Sequence, residues 1–130
     1  MNTQALTKSA IVSTVLQVIM VLVNHYAPGI GGQNLAPIGG TAIGAIGGAV
    51  YSMLAKGGSQ GQAAGGGAAA GAIGGVLGSV LSMGMGDVPA STVAVAGGST
   101  LVSGAIGGIL GQTGHHQLIE CLWNWQLAAQ

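Results

Sequence analysis

Charge is almost missing from this chain of 130 residues. Acidic and basic side chains together make up 3% of it, and the whole inventory is Lys8, Lys56, Asp87 and Glu120. A soluble domain carries about 25% charged residues. A water-facing surface here would have to be assembled from Gly, Ala, Ser, Gln and aliphatic side chains, and such a surface aggregates. Disorder fits poorly for the opposite reason, because 49% of the residues are hydrophobic and the mean hydropathy is +0.67, whereas disordered segments are polar. Hydrocarbon is the solvent that removes the conflict.

The other absences exclude functions. Arginine does not occur and there are two lysines, so no phosphate-tracking nucleic-acid surface can be built. The single cysteine, Cys121, cannot close an internal disulfide. His115, His116 and Cys121 are the nearest approach to a metal cluster, but no zinc-site spacing is present and adjacent histidines diverge on a helix. The glycine run at 65–67 is followed by no lysine, so the phosphate-loop pattern is not met. No apolar run has an ionisable residue at its middle, the mark of a proton relay or coupled transporter. Convergent titratable groups are what catalysis needs, and the expectation is a protein that is not an enzyme, with no cofactor and no metal.

What the chain does have is apolar runs of membrane-spanning length. About 20 residues of helix cross the hydrocarbon layer, and candidate crossings fall at 9–27, 37–55, 63–83 and 90–111. Lys8 before the first run is reminiscent of a signal sequence, yet no small-residue cleavage site follows Asn24, His25 and Tyr26, so the run reads as an uncleaved first crossing. Pro28 and the glycines after it break this helix, and Asn34 and Pro37 suit the cap and first turn of the second. Asp87 and Pro89 suit the cap and first turn of the fourth. The tail, 113–130, reads as a short segment at the membrane surface, with Trp123 and Trp125 at the headgroup level. Strands are disfavoured because period-two alternation is missing and strands tolerate interior glycine poorly. The predicted fold is therefore all-α, a single integral membrane four-helix bundle.

Its 27 glycines would weaken helices in water by about 1 kcal/mol each. In lipid they acquire a use. The pentapeptide GAIGG occurs three times, at 44–48, 71–75 and 104–108. Residues four apart share a helix face, so Gly40, Gly44 and Gly48 form a bare groove, Gly67, Gly71 and Gly75 form a second, and Gly104 and Gly108 a third. Lipid supplies no hydrophobic drive for helices to associate, and small-xxx-small faces permit the close backbone approach that replaces it. The segment from Pro37 to Gln112 resembles, as a style of packing, the glycine-zipper helices of many small bacterial membrane proteins. That resemblance carries no functional residues.

On the first helix Ser9, Ser13 and Gln17 fall on one stripe. The stripe is expected to face the bundle and hydrogen-bond to other helices, the alternative being that Gln17 lines a polar path. Four crossings put Lys8 and Lys56 on one side and Asp87 on the other, which the positive-inside rule reads as cytoplasmic N- and C-termini in a bacterial inner membrane. The expected partners are the lipid bilayer and either the chain itself or a larger membrane complex. A noncatalytic structural or accessory subunit is the leading functional expectation, beside an oligomeric membrane pore of the holin or virion-delivered kind, and a virion or vesicle membrane component.

Overall fold

The computed structural model describes residues 2–27, 29, 35–55 and 57–128, with side chains outside the description at 35–37 and 115–128. Four helices account for nearly all of it: α1 (Thr3–Tyr26), α2 (Leu35–Leu54), α3 (Gln60–Gly84) and α4 (Ser91–Ala128). Three of them contain stretches long and apolar enough to cross a membrane, namely Thr3–Tyr26, Gln60–Gly84 and Ser91–Gly114; the apolar Ile38–Leu54 of α2 is shorter.

The caps explain where the helices begin. Asn2 accepts from the free N–H groups of Gln4 and Ala5 at 3.1 and 3.2 Å, so α1 starts six residues before the apolar run that announces it in the sequence. Ser59 accepts from Gln62 at 3.3 Å and starts α3. The end of α3 is a Schellman motif: Gly86, at φ +80°, turns the chain while Asp87 N–H donates to the Ser82 carbonyl at 3.0 Å and Gly86 N–H to that of Met83 at 3.1 Å.

Two expectations are corrected here. The tail is not a separate element, because α4 runs unbroken for 38 residues, about 57 Å of helix. Gly111 and Gly114 weaken a helix without stopping it, and no proline follows Pro89 to break the ladder. Asp87 is not the cap of α4 either. The helix begins four residues later, after a turn in which Thr92 N–H donates to the Pro89 carbonyl at 3.0 Å, and the Asp87 carboxylate meets His25 instead, with Nδ1 2.9 Å from Oδ1. Asn34, expected to cap α2, and Lys56 lie outside the described residues, as do the side chains of His115, His116, Cys121, Trp123 and Trp125.

The helices alternate in direction. Their neighbours do not follow chain order: α1 packs on α2 and α3, α4 packs on α2 and α3, α2 also touches α3, and α1 and α4 stand at opposite corners. The pairs α1/α3 and α2/α4 are consequently parallel neighbours.

The buried face of α1 is Ala5, Ser9, Ser13, Gln17 and Val21, one residue every four, while Ile11, Val15, Ile19 and Leu22 are exposed. The same inversion holds on α4, where Gly104, Gly107 and Gly108 are buried and Val102 and Leu110 are 57% and 63% exposed. Small residues are inside and large aliphatic ones outside.

Candidate functional site

The interior is a seam of bare backbone. A methyl group added at Gly48 would overlap the Gly104 carbonyl, one at Gly67 would overlap the same carbonyl and lie 3.0 Å from the Gly48 Cα, and one at Gly104 would overlap the Gly67 carbonyl. Three helices, α2, α3 and α4, thus meet at a point with no side chain between them. Above it, Gly44 and Gly71 rest against the Thr100 carbonyl and Gly75 against the Thr100 side chain; below it, Gly108 rests on the Ala63 carbonyl. Gly40 differs from the other seven ladder glycines, since the nearest atom to a methyl there is the Gln17 amide nitrogen at 3.8 Å.

A second set of glycines serves different interfaces. In each GAIGG copy the fourth residue, next to the ladder glycine, faces another helix: Gly47 and Gly74 both abut Ser13 of α1, and Gly107 abuts the Ala45 carbonyl of α2. Ser13 is clamped between α2 and α3, buried, with its hydroxyl unpaired. Gly78 holds the Gln17 stem, its added methyl 3.0 Å from Cβ, and Gly66 lies flat against the Tyr51 ring. Tyr51 is 1% exposed and its hydroxyl accepts from Asn2 N–H at 3.3 Å, joining the end of α2 to the start of α1.

These contacts were not apparent from spacing at four residues. The doubled glycine of GAIGG was the available signal, because two adjacent bare positions point about 100° apart on a helix and can serve two neighbours. For α1, the stripe Ser9, Ser13, Gln17 does face the bundle, but it makes no hydrogen bond to another helix among the described residues. Ser9 donates to the Leu6 carbonyl of its own helix at 3.0 Å, and Thr100 likewise bonds Ala96 at 2.8 Å within α4. Within the interior, shape and not polar pairing joins the helices, and the polar contacts between elements lie toward the two ends of the bundle.

Chemistry-bearing groups are sparse. Among the described residues no three His, Cys, Asp or Glu side chains converge. His25 and Asp87 form an ion pair when the imidazole is protonated, at the rim of the bundle, with side chains 34% and 21% exposed. At the opposite end Gln112 donates to the Gly58 carbonyl, tying α4 to the α2–α3 connection.

Comparison of the chain with protein families, with curated proteins and with solved structures finds no match. Function has to be argued from the geometry alone.

Proposed function

We propose that this chain is an integral membrane protein, a glycine-zipper bundle of four crossings that serves as a noncatalytic structural or accessory subunit. The observation that supports this reading is the inverted distribution of side chains: Gly, Ala, Ser and Thr make up most of the interior, with Tyr51, Gln17 and Val21 the larger residues among them, while Ile11, Val15, Ile19, Val102 and Leu110 face outward. In water that arrangement exposes many large apolar side chains and buries few of them beyond Tyr51 and Val21. In hydrocarbon the outer faces are solvated, and the bare seam provides the close packing that holds helices together there.

A pore through a single chain finds no support in a centre where backbones touch, and the reading as a pore therefore requires several copies. The lysine distribution favours the end carrying Lys8 on the cytoplasmic side. The 38-residue α4 exceeds the ~20 residues that a crossing uses, so part of it extends past the bilayer.

Alkaline extraction of membranes from expressing cells tests the first element. The chain is expected to stay with the lipid; release into the aqueous phase would end the reading. Reconstitution in dye-loaded vesicles tests the second, with no leakage expected at any protein-to-lipid ratio, and leakage that rises steeply with copy number would replace the scaffold with an oligomeric pore.

A further inference from the structure

Where α1 and α4 stand at opposite corners, the helices leave a cavity of about 290 Å³ on the side of the bundle that carries Asp87. Gly40, Gly75 and Gly78 line it, and of the three only Gly40 leaves an added methyl nothing nearer than 3.8 Å. It follows α4 from Thr92 to Thr100, a rise of about 12 Å.

Gln17 lines this cavity and is 4% exposed. Its amide has no hydrogen-bond partner among the described residues, although both a donor and an acceptor are present on it. Burying an amide without a partner is costly, and this one borders empty space instead of packed side chains. Three of the five hydroxyls that line it are already committed as donors. Ser79 donates to the Gly75 carbonyl at 2.7 Å, Ser99 to Ala96 at 3.0 Å and Thr100 to Ala96 at 2.8 Å, so these three offer a ligand oxygen lone pairs, while Ser82 and Thr92 also line the cavity and can donate as well as accept. Met20, Val21, Val88 and Val95 supply apolar wall, and none of the lining residues is charged.

We infer that the cavity binds a neutral amphiphile with one hydroxyl head and an apolar body, the hydroxyl pairing with the Gln17 amide. The head both accepts from Nε2 and donates to Oε1 or to the Ser and Thr oxygens. A carbonyl head would use the donor alone, and a carboxylate would enter a low-dielectric site without a countercharge. At about 30 Å³ per small group, the volume holds roughly ten heavy atoms, which is a medium-length alkyl alcohol. The test rests on the membrane reading for its bilayer, and the two failures are distinguishable: release on alkaline extraction ends that reading, whereas equal competition by alcohol and alkane in nanodiscs ends this inference alone.

The test uses the full chain in phosphatidylcholine nanodiscs, photolabelled with a diazirine-bearing alkyl alcohol and competed with 1-decanol or decane at matched mole fraction in the bilayer. Adducts are expected on Met20 and Val21, which is 4% exposed, with 1-decanol competing about fivefold better than decane, the factor that one net hydrogen bond represents. Gln17→Met keeps the shape and is expected to abolish that preference. Gly40→Leu projects into the cavity and is expected to lower the Met20 and Val21 adducts at least severalfold while leaving helical content intact by circular dichroism. Adducts spread over Ile11, Val102 and Leu110 in proportion to exposure would overturn the inference, as would equal competition by alcohol and alkane in the unsubstituted chain, which would leave the cavity a water-filled or lipid-filled gap.

Discussion

At Gly48 and Gly104 the atom that a side chain would meet belongs to another backbone, and a backbone within a packed helix cannot step aside. Replacing either by Ile is expected to lower the unfolding free energy by about 3 kcal/mol or more, the upper range of overpacking, read by denaturant titration in detergent. Gly40→Ala lies on the same sequence ladder but has open space, and is expected to change stability by less than about 1 kcal/mol. Equal costs at the two positions would mean that the seam is not where the chain is closest. Conformation separates two other glycines. Gly98 sits in mid-helix with nothing within 4 Å of an added methyl, so Gly98→Ala should stabilise by up to about 1 kcal/mol. Gly86 has equal space but a φ of +80°, and Gly86→Ala should cost about 1 kcal/mol; melting temperatures of the two variants should move in opposite directions. Ser13 is the polar counterpart. Its buried hydroxyl has no partner, so Ser13→Ala removes an unsatisfied group at little loss of volume and is expected to be neutral or stabilising by about 1 kcal/mol, whereas a hydroxyl that bridged helices would make the same change destabilising in the same titration.

Between elements, glycine pairs decide which helix meets which. α3 is bare on two sides, with Gly67 and Gly71 toward α4 and Gly74 and Gly78 toward α1, and it can therefore sit between them. The ladder at four-residue spacing was legible in the sequence because a helix face repeats at that interval. The second face was not, since the doubled glycines carry no information about which neighbour they serve. The contact of His25 with Asp87 was equally hidden. Both lie at the ends of helices that finish on one side of an alternating bundle, which was readable, but an aspartate near a helix start also has a local role as a cap, and only the Schellman turn at Gly86 aims it back toward α1. Since this pair is partly solvated, Asp87→Ala is expected to cost less than about 1 kcal/mol. Amide exchange in the first turn of α4 should be unchanged by it; faster exchange there would restore the capping role.

For the whole molecule the decisive property is which faces look outward. Val102 lies near the middle of the apolar stretch Ser91–Gly114 and is 57% exposed. If hydrocarbon surrounds the bundle as proposed, Val102→Lys adds an insertion penalty of about 2.5–3.5 kcal/mol and should sharply reduce the fraction of chain recovered with membranes. In water the same change would add charge to an exposed site and raise solubility, so the sign of the effect on membrane recovery distinguishes the two surroundings.

The all-helical character, four helices, and the length and apolarity of three of them follow from composition and run length, because a chain with 3% charged residues and no period-two pattern has few other ways to satisfy its backbone. The small-residue faces follow as well, since helical periodicity is a local property. Neighbour order, the parallel pairing of α1 with α3, the continuous α4 and the cavity beside Gln17 were decided in three dimensions. A bare position states only that something can come close; what comes close depends on how all four helices share the space.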